Sequence, residues 1–296
     1  MNRIEAALLS FLSKAASGEG VTMPPRLLKE FGKSCEKALT KHFTKGKEEF
    51  RLRMSNAGKP LCQLQMQSKN VKAETPTYDF KMRMIMGDVL EALIITLIKA
   101  SKIKVKNTHK KVEYKLDKNN YISGEYDIEL SDGIYDIKTV SPFAFEHKFK
   151  PDDAYERIKE SDSFGYVAQG HGYAMAANRP FKGWIALNKS TGEITVAEAR
   201  NTKKEKEYVH NKLCTAFKSL HGKKSFERCF SDVPEVFYKK DTGNRTLGIE
   251  CSYCPFKHSC WKGLEFRRQL PSKGRNPKWV WYTHITKEWR DADNTI

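Results

Sequence analysis

The stretch GEYDIELSDGIYDIKT, residues 124–139, concentrates acidic side chains more densely than a strand that only packs against a core. It holds Asp127, Glu129 and Asp136 close to Lys138. Carboxylate oxygens are the ligands that hard divalent cations such as Mg²⁺ prefer, and an adjacent lysine can activate a nucleophile or stabilise developing negative charge. The stretch therefore predicts a metal site with an associated lysine. The alternative is a solvated strand face whose acids pair with lysines and arginines elsewhere.

Two strand-like runs separated by the dipeptide DG at 132–133 carry these charged groups. Such a dipeptide favours a two-residue type I′ turn, because both central residues of that turn need positive φ. In the resulting register Glu129 faces Asp136 and Asp127 faces Lys138, so all four side chains share one face of the hairpin. A three-residue turn would instead scatter the acids over both faces. The predicted opposite face carries the apolar residues Ile128, Leu130, Tyr135 and Ile137.

The elements on either side alternate between helical and strand-like patterns. Apolar residues at helical spacing predict a long helix over 76–100. Further strands are expected at 111–116, 121–130, 134–140, 183–188 and 193–199, and further helices at about 152–160, 163–178 and 203–220. This order predicts an α/β fold with a mixed central sheet flanked by helices. Residues 1–60 read as helical and basic, and the tail from residue 230 reads as irregular.

Three regions are predicted from these changes in pattern. Residues 1–74 form a helical, basic N-terminal region, residues 75–222 form the core, and residues 223–296 form a C-terminal region with a cysteine cluster and a basic tail. We expect the first and third regions to pack together as a helical, cysteine-rich accessory lobe.

Four motifs in order along the chain carry a resemblance to a known family. They are GDVLE with Gly87 and Glu91, GEYD with Asp127, DIK with Asp136 and Lys138, and QGHGY with Gln169 and Tyr173. The series resembles the PD-(D/E)xK nuclease superfamily, specifically its RecB-like branch. The resemblance implies a restriction-endonuclease-like core with a mixed sheet.

The same resemblance implies a set of site residues and an activity. Glu91, Asp127, Asp136 and the main-chain carbonyl of Ile137 would bind Mg²⁺ or Mn²⁺, and Lys138 would activate the attacking water. Gln169 and Tyr173 would position the DNA backbone. The implied activity is a metal-dependent DNA exonuclease acting in recombination, repair or phage DNA processing, with a helicase or recombination partner. The alternatives are an endonuclease of the same superfamily and a non-catalytic, metal-stabilised nucleic-acid-binding protein.

The sequence CSYCPFKHSCW places Cys251, Cys254 and Cys260 within ten residues, a spacing typical of metal binding. Cys62 is the leading candidate for a fourth ligand, with Cys35, His258 and the remaining cysteines as rivals. Spacing alone leaves structural Zn²⁺ and an iron–sulphur cluster open. The resemblance extends to RecB-like nucleases, including CRISPR-associated ones, in which one upstream and three downstream cysteines hold a [4Fe–4S] cluster. Cys214 and Cys229, together with Cys35, read as small buried residues.

The chain carries a net charge of +17, which indicates a polyanionic partner such as DNA. The candidate contacts to single-stranded or end-containing DNA are Lys110, Lys111, Lys148, Trp279 and Trp281. The tryptophans have the alternative of packing on the core. The longest apolar run, residues 90–98, is shorter than a membrane-spanning helix, so no membrane partner is expected. The N-terminal segment lacks a secretory pattern, and Glu5 argues against a mitochondrial presequence, so we expect a bacterial or viral-host cytoplasmic location.

Overall fold

The computed structural model describes residues 1–44, 46, 49–222 and 225–286, which fall into two compact units. The larger unit comprises residues 1–59 and 77–221, and the smaller unit comprises residues 60–76 together with the chain from residue 222 onward. Residues 1–59 therefore belong with the core and not with an accessory lobe, which differs from the predicted boundary at residue 74. Of the predicted N-terminal region, only residues 60–74 join the C-terminal part of the chain.

The larger unit contains a five-stranded mixed sheet in the order β1-β2-β3-β4-β5. Its strands are β1 (Val105–Lys115), β2 (Tyr121–Leu130), β3 (Ile134–Val140), β4 (Phe181–Asn188) and β5 (Ile194–Glu198). The β3–β4 pair is parallel, and the other three pairs are antiparallel. The predicted α/β class with a mixed sheet flanked by helices is confirmed.

Both units contain helices in addition to their sheets. Their bounds are α1 (Arg3–Ala16), α2 (Pro25–Phe43), α3 (Met54–Ala57), α4 (Leu61–Ser68), α5 (Tyr78–Ala100), α6 (Pro142–Ala144), α7 (Ala154–Glu160), α8 (Tyr166–Ala176), α9 (Lys203–His221), α10 (Ile249–Ser252) and α11 (Lys257–Cys260). A π-helical turn, Phe145–Phe149, follows α6. Within the described ranges, no helix is long and apolar enough to cross a lipid bilayer.

The core of the larger unit lies between the sheet and the helices α1 and α5. Helix α1 begins with a capping box, in which the Asn2 side chain accepts from the Ile4 amide and Glu5 accepts from the Asn2 amide. The buried side chains of this core are Ile4, Leu8, Ile94, Ile95, Ile98, Ile128, Leu130, Tyr135, Ile137, Ile185, Leu187 and Val196. The predicted apolar face of the β2–β3 hairpin therefore packs against α1 and α5.

The β2–β3 register differs from the predicted one. Ile128 pairs with Tyr135, and the Leu130 amide donates to the Gly133 carbonyl over 2.9 Å, so residues 131–132 occupy the centre of the turn. The pairing is thus shifted by two residues from the DG-centred register. Side chains alternate with a period of two along a strand, so an even shift leaves every side chain on its predicted face. The one-face arrangement was predicted correctly from a register that was wrong.

A long-range contact accounts for the displaced turn. The Ile134 amide donates to the Pro180 carbonyl over 3.0 Å, which joins the start of β3 to the segment before β4. A Cβ at Gly133 would lie 2.4 Å from that same carbonyl oxygen, so only glycine fits there. Gly133 is therefore used for this close approach and not as a central turn residue.

The smaller unit contains a second sheet that the sequence pattern did not predict. Its strands β6 (Asp232–Phe237), β7 (Lys240–Leu247), β8 (Glu265–Arg268) and β9 (Trp279–His284) pair antiparallel in the order β6-β7-β9-β8. The prediction of an irregular tail from residue 230 was wrong for these residues. Pro234 in β6 and the polar sequence KDTGNRTL in β7 hide the alternation that marks a strand.

Candidate active site

Asp136 and Lys138 lie two residues apart on β3, so their side chains leave the same face of the sheet. Asp136 is 1% exposed, and its Oδ1 accepts no hydrogen bond from the described residues. Its close cationic neighbour is Lys138, whose Nζ lies 2.7 Å from Oδ2. On the neighbouring strand β2, Asp127 Oδ2 accepts from the Ile137 amide over 2.6 Å. This bond holds the second carboxylate against the backbone between Asp136 and Lys138.

Helix α5 brings a third carboxylate to this group. Burial raises the pKa of Glu91 well above its ordinary value, and repulsion from Asp127 and Asp136 adds to the rise. Attraction to Lys138 lowers the pKa in part. Three carboxylates predicted on separate elements, Glu91, Asp127 and Asp136, thus lie within electrostatic reach of one lysine.

The pKa shifts of these groups reflect the burial of several carboxyls around one ammonium. Burial raises the pKa of Asp136 to about 7, against a partial lowering by Lys138, and burial also raises the pKa of Asp127. For Lys138, burial alone would lower the pKa, but Asp136 and Asp127 outweigh it and raise the pKa. One ammonium therefore does not keep the pKa values of these carboxyls in their ordinary range.

Gln169 and Tyr173 share one face of α8, as predicted from their spacing. Gln169 Nε2 donates to the Tyr173 hydroxyl over 3.2 Å, and Tyr173 is buried. The ring packs against Gly124 of β2, where an added Cβ would lie 2.4 Å from Tyr173 Cε1. Burial raises the pKa of Tyr173, and Asp136 and Asp127 contribute to the rise. The structure therefore places Tyr173 beside the acidic group.

Glu129 does not belong to this group, although its strand face was predicted correctly. Its Oε1 lies 3.1 Å from Arg179 Nε, and its Oε2 accepts from Asn107 Nδ2 and from the Tyr126 hydroxyl. Burial alone would raise the pKa of Glu129, but these partners lower it. A satisfied buried carboxylate of this kind is structural.

Three neighbours of the site were not predicted from the sequence. His109 Nδ1 on β1 lies 3.6 Å from Glu91 Oε1 and 3.9 Å from Glu125 Oε1. Lys138 Nζ lies 5.1 Å from the centre of the Tyr166 ring at the start of α8, a cation–π distance. His109 sits among lysines in the sequence NTHKKVEY, so no signal separates it from a basic strand. The pairing of β1 with β2 is needed to find it.

The chemistry of the donors suits a hard divalent cation. Asp136 Oδ1 is buried without a hydrogen bond, and an unpaired buried oxygen is a group that a bound cation would satisfy. Within the described ranges, no three His, Cys, Asp or Glu side chains are already arranged to hold a metal ion.

Cys62, Cys251, Cys254 and Cys260 line one pocket of the smaller unit, together with Trp261. Cys62 lies on α4, and the other three come from the segment 251–260. Burial raises the pKa of Cys251 and of Cys254, and thiolate repulsion from Cys260 adds to both shifts. The structure therefore brings together the four cysteines predicted as ligands.

The remaining cysteines differ from the prediction that they are buried small residues. Cys229 is exposed, and Cys35 and Cys214 are half-buried. Cys229 Sγ accepts from the Cys62 amide over 3.2 Å, and the hydrogen bond between their side chains raises the pKa of Cys62. A fifth thiol thus adjoins the pocket, whereas Cys35 lies on α2 of the larger unit.

The predicted DNA-contact residues occupy different environments. Lys110 and Lys111 are exposed on β1, and Lys148 is half-buried and donates to Ser161 Oγ over 2.6 Å. In the smaller unit Trp279 is 55% exposed, and Trp281 is half-buried. Both tryptophan rings contact Phe266, at 5.2 and 4.5 Å between ring centres, so they share one face of β9. Tyr282, by contrast, is buried, with its hydroxyl donating to Glu235, so it cannot stack on a base.

No family model matches the chain, and no curated protein matches it significantly. Among solved structures, the crystal structure of SSO0001 is 13% identical in sequence and covers 76% of this chain and 93% of its own, with a TM-score of 0.40. A similarity at that TM-score carries no argument about family or function.

In metal-free protein we expect Asp136 to make stability fall with rising pH. Its pKa is about 7 in the folded protein and about 3.9 in an unfolded chain. Between these values the folded state holds a proton that the unfolded state releases, so the free energy of unfolding decreases as pH rises through that window. Thermal unfolding should be measured in chelator from pH 4 to 8 for Asp136→Asn and wild type. The melting temperature of the variant minus that of wild type should increase up to about pH 7 and then stay constant. A difference that stays constant over this range would contradict the assignment.

Proposed function

We propose that the larger unit is a PD-(D/E)xK nuclease core that hydrolyses phosphodiester bonds in DNA with a bound divalent metal ion. The observation that carries the proposal is the environment of Asp136. This carboxylate is buried and close to Asp127 and Glu91. Its Oδ2 lies 2.7 Å from the Lys138 ammonium, and its Oδ1 has no hydrogen-bond partner among the described residues. Such a site costs stability unless a cation neutralises it, and hydrolysis of a phosphodiester is the chemistry that needs that cation.

The chain's own groups then have distinct tasks. Asp136, Asp127, Glu91 and the carbonyl of Ile137 would hold Mg²⁺ or Mn²⁺, which supplies Lewis-acid polarisation of the phosphate and acidifies a bound water. Lys138 carries its charge at neutral pH because Asp136 and Asp127 raise its pKa. It therefore orients the attacking water and stabilises negative charge on the phosphate oxygens, and does not act as a free base in the resting protein.

A second group of residues would position the DNA strand. Gln169 and Tyr173 present an amide and a hydroxyl beside the acidic group, and hydrogen bonds from such donors to phosphate oxygens fix a backbone in register. Lys110 and Lys111 are exposed on β1, the strand that also carries His109. Their charges would attract the phosphate backbone regardless of base sequence.

Cys62, Cys251, Cys254 and Cys260 of the smaller unit would hold a [4Fe–4S] cluster. Cys62 comes from residues 60–76 and the other three come from the segment after residue 222, so a shared cluster would tie the two segments of this unit together. A cluster in this place acts on stability, since no residue of the acidic group belongs to the smaller unit. Structural Zn²⁺ in a four-cysteine site is the alternative.

Action from a DNA end is the form of hydrolysis that we propose, and substrate topology tests it. With Mn²⁺, the wild-type protein should degrade a linear single strand and a duplex with frayed ends, and should leave a covalently closed circle intact over the same time. The same mixtures with excess EDTA are the control and should show binding without cleavage.

Each other outcome identifies a different function. Rapid cutting of the closed circle would replace the exonuclease with an endonuclease that uses the same site. Binding of all three DNAs without hydrolysis in Mg²⁺ or Mn²⁺ would leave a nucleic-acid-binding protein stabilised by its cysteine site.

A further inference from the structure

His109 occupies a position in β1 that its sequence neighbours do not reveal. Thr108 pairs with Ile128 and Lys110 pairs with Tyr126 in the antiparallel β1–β2 ladder. His109 therefore stands opposite Asp127, at the level of the acidic group. The side chain is 35% exposed, so the ring is partly sheltered and still open to solvent.

One ring nitrogen of His109 lies near two carboxylates without a hydrogen bond to either. Nδ1 is 3.6 Å from Glu91 Oε1 and 3.9 Å from Glu125 Oε1, and both distances exceed a hydrogen bond. Repulsion from Asp127 and Asp136 in turn helps to raise the pKa of Glu91. An imidazole nitrogen and carboxylate oxygens at such separations are close enough to bind the same metal ion.

The backbone at His109 is strained within a regular strand. Its φ is +51°, a left-handed value that side-chain-bearing residues adopt at a cost of order 1–3 kcal/mol. The residues on both sides keep their ladder partners, so no inserted residue accounts for the conformation. Strain of this kind is retained where it directs a side chain to a required place.

We propose that His109 is a nitrogen ligand of the active-site metal ion, and that it gives the site a preference for a transition metal ion over Mg²⁺. The proposal rests on the nuclease function proposed above. Mg²⁺ strongly prefers oxygen donors, whereas an imidazole nitrogen adds affinity for first-row transition metal ions. Mn²⁺ is a suitable probe because it accepts carboxylate and imidazole ligands and is paramagnetic.

The test is pulsed electron paramagnetic resonance of Mn²⁺ bound to the full chain, which detects a directly bound ¹⁴N nucleus without any need for catalysis. The variants are His109→Gly and His109→Asn, because glycine and asparagine both tolerate positive φ and so remove the imidazole without adding strain. His147→Ala is the matched control, since it removes an exposed histidine of the same unit.

The wild type and His147→Ala should show the ¹⁴N coupling, and both His109 variants should lose it. We expect Mn²⁺ affinity to fall by about tenfold or more in the His109 variants, with a smaller change for Mg²⁺. Coupling that persists in both variants, or is absent from wild type with Mn²⁺ bound, would overturn the assignment of His109 and leave the nuclease proposal intact. A wild-type protein that binds no Mn²⁺ would instead refute the metal site itself.

Discussion

Asp136→Asn and Lys138→Met should each reduce DNA hydrolysis by about a thousandfold or more, while DNA binding changes by less than about threefold. Asparagine keeps the shape of Asp136 but removes the charge that the metal ion needs. Methionine keeps the volume of Lys138 but removes the ammonium that lies 2.7 Å from Asp136. Cleavage rates and filter-binding affinities measured on the same preparations check both parts of the expectation.

The matched control for the first variant is Glu129→Gln. Glu129 lies on the same hairpin and is also a buried carboxylate, but Arg179, Asn107 and Tyr126 satisfy it. This variant should cleave at close to the wild-type rate in folded protein, with its cost appearing as lower stability. If Glu129→Gln and Asp136→Asn lose activity equally, the loss reflects disruption of the hairpin and not removal of a metal ligand.

Protein prepared without oxygen should be brown and contain roughly four iron atoms per chain, and Cys254→Ser should remove the colour and the iron. Cys254 lines the pocket with the other three predicted ligands, so one substitution leaves an incomplete site. Because metal binding at such a site supplies folding free energy, the smaller unit should also unfold at a lower temperature. Visible spectra, iron analysis and limited proteolysis measure these three effects.

Cys214→Ser provides the comparison for that experiment, because Cys214 is a half-buried thiol on α9 of the larger unit. It should leave both the colour and the iron content unchanged. A colourless wild-type protein with one tightly bound zinc ion would refute the iron–sulphur cluster and retain a four-cysteine site. An unchanged iron content in Cys254→Ser would refute the ligand set, with Cys229 the first replacement to consider because it contacts Cys62.

The acidic face could be predicted from the sequence because strand alternation has a period of two. Asp127, Asp136 and Lys138 fall on one face in any register that differs by an even number of residues. The turn itself could not be predicted, because the contact between Ile134 and the Pro180 carbonyl joins segments that are far apart in sequence. Local turn preference was overridden by a tertiary hydrogen bond.

Other features depend on pairing that no local pattern encodes. His109 is adjacent to Glu91 only because β1 pairs with β2 and α5 packs near the same end of the hairpin. The sheet β6-β7-β9-β8 escaped prediction because its strands contain Pro234 and long polar runs. The proximity of Cys62 to Cys251 was expected from a family resemblance, since spacing alone does not join residues so distant in the chain.

Single-turnover cleavage of an end-labelled DNA strand tests the central claim most directly. Wild type, Asp136→Asn and Lys138→Met are compared at saturating protein with Mn²⁺, and bound Mn²⁺ is measured in each sample. The account predicts rapid cleavage by wild type, little bound metal and no cleavage for Asp136→Asn, and bound metal without cleavage for Lys138→Met. Cleavage by both variants at near the wild-type rate would show that phosphodiester hydrolysis takes place without this acidic face.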